Sequence, residues 1–124
     1  MKSMIAVLVL TAPLAGFGVA PAKASAFEAW QVSDLPFGDT LNVRKYPSSS
    51  SRKEAAYPNG KTLQMSGRCT GGVNLRTIAG MPASQQRRLV RYRWCEIWHD
   101  PAGNENFTTG WVYGKYIRPY APGD

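Results

Sequence analysis

The chain has only two cysteines, one histidine and eight acidic residues among its 124 positions. Each scarcity closes off a class of chemistry. A zinc site needs more ligands than Cys69, Cys95 and His99 can offer. His99 stands beside Asp100 and three residues after Glu96. Acid–base catalysis, however, needs a converging set of groups with a nucleophile or ligand partner, so this His reads as ordinary composition at a strand edge. Neither a G-x-S-x-G elbow nor an H-E-x-x-H metalloprotease motif occurs. No enzymatic activity, cofactor or metal is expected. Beyond the N-terminus the chain also lacks any apolar run near the ~20 residues that span a bilayer.

What the chain does have begins with an export pattern. Lys2 gives a short positive start, residues 4–14 are mostly apolar, and Pro21-Ala22-Lys23-Ala24-Ser25-Ala26 is rich in small residues. Ala24-x-Ala26 suits signal-peptide cleavage before Phe27, and Ala22-x-Ala24 suits a cut two residues earlier. The apolar stretch is too short for a transmembrane anchor, and no cysteine follows it to carry a lipid. Residues 1–26 therefore read as a cleaved signal peptide, with a periplasmic or secreted destination. Residues 27–124 form one small domain, of net charge +5 once Lys2 and Lys23 are gone from the full-length +7. A domain of this size hides only roughly 60–65% of its unfolded surface. A covalent staple would help, and Cys69 and Cys95 in an oxidising compartment read as one disulfide worth roughly 2–4 kcal/mol. That pairing leaves no free thiol for a Cys–His nucleophile.

Turn signals recur at close intervals, including Pro36-Phe37-Gly38-Asp39, Tyr46-Pro47-Ser48, Pro58-Asn59-Gly60, Gly71-Gly72 and Pro101-Ala102-Gly103-Asn104. Short apolar or β-branched segments between them predict strands over 29–32, 40–44, 61–68, 93–99, 108–112 and 115–118. The period of two puts Cys95, Ile97 and His99 on one face of their strand and Trp94, Glu96 and Trp98 on the other. An antiparallel hairpin of 61–68 with 93–99 would bring Cys69 and Cys95 together near its mouth. Its connection, residues 71–92, is long for a compact domain. The stretch from Pro82 to Val90 has good helix formers and predicts a short helix, and the rest is open between a functional element and a disordered loop.

Leu41-Asn42-Val43-Arg44 with Pro47, Gly60 to Met65, Trp94-Cys95-Glu96-Ile97, Gly110-Trp111-Val112 and Tyr116-Ile117 follow one another in an order that resembles bacterial SH3 (SH3b) domains. The resemblance covers about residues 29–118. It implies an all-β fold, a small SH3-like barrel of about five to six strands, carrying here an arginine-rich insertion at about 71–92. It also implies a module that binds peptidoglycan or an envelope protein. Two departures stand out. Lys45-Tyr46 replaces the small residues usual after the Leu-Asn-Val-Arg motif, which should turn Tyr46 outward, and the 71–92 segment is far longer than usual. Leu41 and Val43 give their strand an apolar face, Gly110 allows a bend before bulky Trp111, and Trp94 and Trp111 are large enough to anchor a core.

Candidate ligand residues fall at the departures. Tyr46 and Trp98, ahead of Tyr57, Tyr113 and Tyr116, are aromatics placed to meet a sugar or peptide, although each could simply cover a barrel edge. Arg76, Arg87, Arg88, Arg91 and Arg93 concentrate positive charge for an anionic partner, against the alternative of a solvated loop. Basic domains commonly meet nucleic acid, but export takes this one away from it. The expected function is non-catalytic binding of peptidoglycan or another anionic wall component. A protein-interaction module or secreted effector, and a small wall hydrolase, are the alternatives.

Overall fold

A computed structural model describes residues 28–122; the expected signal peptide and its expected cleavage site lie outside that range. Seven strands form the frame: β1 Glu28–Val32, β2 Thr40–Arg44, β3 Lys53–Pro58, β4 Thr62–Cys69, β5 Trp94–His99, β6 Thr108–Tyr113 and β7 Ile117–Pro119. Two helices, α1 Leu75–Ile78 and α2 Ala83–Val90, interrupt them between β4 and β5. All neighbouring strands run antiparallel in one sheet of order β3-β2-β6-β5-β4-β1-β7.

The all-β expectation holds, with two corrections. The sheet is not closed into a barrel, since its edges, β3 and β7, pair only with β2 and β1. It also has seven strands, because β3 escaped the sequence reading. Lys53-Glu54-Ala55-Ala56-Tyr57-Pro58 is short of β-branched residues and ends in proline. Such a segment suits an edge, where one ladder needs no donors and charge discourages further pairing.

The period of two builds the core. Trp30 and Val32 of β1, Leu41 and Val43 of β2, Leu63 and Met65 of β4, Cys95 and Ile97 of β5, Val112 of β6 and Ile117 of β7 share one cluster. Strands as distant in sheet order as β2 and β1 meet in it, so the sheet curls strongly around that face. β4 and β5 fall out of step between Met65 and Cys69, where Gly67 takes a φ of +105°. The slip still ends with Cys69 opposite Cys95, and the two are disulfide-bonded and buried. This staple closes the mouth of the hairpin as expected.

The insertion is an ordered cap and not a loop. Leu75 and Ile78 of α1 and Val90 of α2 are buried in the same core, which a flat sheet face alone would leave open at that end. Asn74 caps α1 by accepting from the Arg76 amide at 2.9 Å. Buried Gln86 donates to the Ala79 and Met81 carbonyls at 3.2 and 2.7 Å, which ties α2 to the preceding turn. The helix expected near Pro82 to Val90 is α2, with Pro82 at its N-cap.

Of the two tryptophans expected to anchor the core, Trp111 is buried and Trp94 is only half-buried. The core tryptophan is Trp30, 2% exposed. Trp111 is 8% exposed yet lies opposite Glu96 and Arg44 on the other face of the sheet, and half-buried Trp94 shares that face. Gly110 is needed for room: a β-carbon there would overlap a Val43 methyl and stand 3.2 Å from His99 Nε2.

Candidate functional site

The outer face of β5 and β6 carries a row of aromatics that alternation alone dictates. With Cys95 and Ile97 inward, Trp94, Glu96 and Trp98 must point out, and the register sets Tyr113, Trp111 and Thr109 beside them. Trp94 and Tyr113 pack with ring centroids 5.3 Å apart at 53°. The Arg68 guanidinium lies 5.2 Å over Trp111 and reaches Glu96 at 3.5 Å, and Ser66 donates to the same carboxylate at 2.8 Å. This half of the row is already covered by the protein's own side chains.

The Trp94 end is not covered. There an open groove of about 680 Å³ runs between the residue 33–39 loop and the turn after β2. Trp94, Tyr113 and Tyr116 supply its aromatic surface, Leu35 and Pro36 an apolar wall, and Asn42, Arg44, Asp39 and Ser49 its polar groups. Arg44 is held in place by donating to the Ser51 carbonyl at 3.1 Å. The opposite wall is equally fixed. Asn59 and Leu35 exchange two hydrogen bonds of 3.1 Å, Ser33 N donates to the Tyr116 carbonyl at 2.9 Å, and Arg87 of α2 pairs with Asp34. Gly38, at φ +85°, completes the tight turn that leaves Phe37 fully exposed at the tip.

Beyond the turn Gly114–Tyr116 the surface changes character. Ser84, Arg87, Arg88, Arg91, Gly114 and Lys115 line a second hollow of about 410 Å³. Positions 84, 87, 88 and 91 fall at intervals of three and four, which is one stripe of a helix, while Gln86 and Val90 face inward. Gly114 permits this juxtaposition. Its amide donates to the Arg93 carbonyl at 2.8 Å, and a β-carbon there would overlap the Val90 carbonyl. Lys115 Nζ lies 5.6 Å over Tyr116, and Arg91 stacks on Tyr92 while donating to its hydroxyl at 3.2 Å.

Of the residues singled out from sequence, the fold therefore gathers Arg87, Arg88 and Arg91. It also brings Tyr113 and Tyr116 together in the groove, and places the rest elsewhere. Tyr46 does project outward, 60% exposed, in a shallow hollow with Lys45, Glu54, Thr108 and Thr109. Trp98 sits at the far end of β5 from Trp94, lining a hollow of about 250 Å³ with Tyr57, Asp100 and Phe107. Arg76 stands on α1, its Cγ 3.8 Å from a β-carbon built on Gly67. Arg93 lies over Gly71. The groove itself, centred on Trp94 and Arg44, was missed, although the alternation of Trp94 with Trp98 was the signal that could have placed it.

His99 corrects the sequence reading of a surface residue, being 5% exposed. Its Nδ1 lies 2.9 Å from the Tyr57 hydroxyl, and its Nε2 is buried with no hydrogen-bond partner among the described residues. Burial lowers the imidazole pKa, only partly offset by Glu54 and Asp100, and burial with Asp100 raises that of Tyr57. The pair is a neutral brace between β3 and β5. Among the described residues no group of three or more His, Cys, Asp or Glu side chains is arranged to hold a metal ion. Nor is any described helix long and apolar enough to cross a membrane.

The fold and surface define a disulfide-stapled all-β domain with an aromatic groove beside a cationic cleft. Comparison with known proteins adds no relative: no family model, no curated protein and no solved structure matches the chain.

Proposed function

We propose that the chain is an exported, SH3b-like binding module of the cell envelope, without catalytic activity, whose ligand is peptidoglycan or another anionic wall component. The observation that carries this reading is the groove over Trp94 and Tyr113. Its volume falls within the ~300–1,000 Å³ of ligand sites, and an aromatic surface with a few fixed polar groups is how such sites combine area with orientation. Sugar rings or peptide stems would lie against Trp94, Tyr113 and Tyr116. Asn42, Arg44 and Ser49 would take their hydroxyl, amide or carboxylate groups. A buried disulfide suits an oxidising compartment such as the periplasm or exterior.

Sedimentation of the purified, disulfide-bonded protein with purified sacculi tests the reading. Trp94→Ala and Tyr113→Ala together should weaken binding at least tenfold, since each ring offers roughly 1.5–3 kcal/mol of buried area. Equal sedimentation of variant and parent would remove the groove from the function. Release of soluble muropeptides by the parent would make the protein a hydrolase instead.

A protein partner is the second reading: Phe37 stands fully exposed at the tip of a loop anchored at its base, where an aromatic side chain suits the anchor of an interface. Salt-insensitive binding to one envelope protein, lost in Phe37→Ala and without sedimentation on sacculi, would establish it.

A further inference from the structure

We infer that the cleft between α2 and the Gly114–Tyr116 turn is a phosphate site, taking a phosphomonoester carried on a sugar, a glycan or a lipid headgroup. The assignment stands apart from the groove and holds whether or not the groove takes peptidoglycan.

Three guanidinium groups and one ammonium line this hollow, with the Ser84 hydroxyl among them. Asp34, paired with Arg87, is the one carboxylate in contact with that set among the described residues, so the cations outnumber it by three. A single carboxylate ligand would leave most of that excess unbalanced. A phosphomonoester carries about −1.5 to −2 at neutral pH and presents three acceptor oxygens, which matches several forked donors at once.

The cations are also positioned before any ligand arrives. Arg87 is fixed by Asp34, Arg91 by Tyr92, and Lys115 by the face of Tyr116. Arg88 makes no ion pair among the described residues and is the free arm of the stripe. Mutual repulsion of Arg87, Arg88 and Arg91 on one helix stripe is a cost that Asp34 relieves in part and an incoming anion would relieve further. The hollow is wider than one phosphate group needs, which leaves room for the sugar or glycerol that carries it.

The test uses glycerol phosphate as probe, followed by amide and arginine side-chain NMR, with acetate at equal ionic strength as control. Glycerol phosphate should shift Ser84, Arg88, Arg91 and Lys115 saturably, and at least tenfold more tightly than acetate. Its affinity should rise as pH passes upward through about 6, where the second phosphate proton leaves, while that of acetate stays flat. Arg88→Ala with Arg91→Ala should cost roughly tenfold or more, and Arg88→Lys, which keeps the charge and loses the fork, severalfold. Because Arg88 is exposed and makes no ion pair, Arg88→Lys keeps the test valid if the double variant fails to fold. Equal affinity for acetate and glycerol phosphate, or a double variant that folds and binds as the parent does, would overturn the assignment. Vesicles containing phosphatidic acid, whose headgroup is a phosphomonoester, set against pure phosphatidylcholine, identify the source: sedimentation with the phosphatidic acid vesicles marks a headgroup, and response to the soluble ester alone marks a phosphorylated glycan.

Discussion

The groove and the cleft share the Gly114–Tyr116 turn, which sends Tyr116 into one and Lys115 into the other. Three aromatics line the groove, with one cation, Arg44, set against one anion, Asp39. The cleft has no aromatic lining and four cations. Their origins differ as well. The groove lies on the outer face of a sheet whose inner face is core, so period-two alternation puts Trp94 and Tyr113 there, and the turn adds Tyr116. The cleft is a helix stripe whose opposite side plugs that core, so a period near 3.6 arranges its charges. A rigid sheet suits broad, nearly neutral surface, and a helix stripe suits a point of charge.

The largest expected effect falls on both sites through the staple. Cys69→Ala with Cys95→Ala opens a loop of 26 residues and should cost about 3.5 kcal/mol by chain entropy, read by urea unfolding of oxidised parent and variant. Because the staple closes the hairpin that carries α1 and α2, hydrogen exchange should show the cleft loosening before the groove. Simultaneous loosening would mean that the two regions are one cooperative unit.

Gly114→Ala should separate them differently. The added methyl overlaps the Val90 carbonyl, and overpacking of this kind costs about 1–3 kcal/mol. Pushing α2 away should weaken glycerol phosphate binding more than sacculus binding. The reverse order would show that the turn serves the groove first.

Trp94→Ala should be mild for folding, about 1 kcal/mol from the lost ring pair, yet severe for sacculus binding and silent for the phosphate ester. A midpoint of unfolding measured beside the two binding curves decides whether this ring is functional or structural.

Acid should reach the fold of the empty protein through His99, away from both sites. The folded state holds the His99 pKa below its unfolded value of about 6.5, so the benefit of keeping it neutral is present above that pH and lost as pH falls through it. His99 is the only histidine, and stability should decline below about pH 6.5 at no more than about 1.4 kcal/mol per pH unit. His99→Gln should flatten that decline. An unchanged slope in the variant would assign the acid response to carboxylates.

Much of the frame was legible because it rests on local rules. Alternation put Leu41 with Val43, and Cys95 with Ile97, on shared faces that are the buried ones, turn residues placed the hairpins, and the cysteine count paired Cys69 with Cys95. Strand β3 was not legible, since an edge strand needs neither strong propensity nor a full apolar face. The insertion was readable as helix near Pro82 but not as core, because Leu75 and Ile78 occupy only four residues, too few to show a period. Arg87, Arg88 and Arg91 were readable as charge. Their convergence with Lys115 was not, and of the two tryptophans expected to anchor the core Trp111 is buried, on the opposite face from Trp30, while Trp94 is not.

By itself, then, the sequence determined what each short segment would do: which residues alternate, where the chain turns, that one disulfide is available, and that positive charge gathers in residues 76–93. Only the tertiary structure decided which face of each strand would be core, because that depends on how far the sheet curls and on what caps its open end. It also decided that Gly114, by lacking a β-carbon, lets a helix stripe close on a lysine far along the chain. Contacts of that kind are set by the packing of backbone against backbone, and no local pattern of residues encodes them.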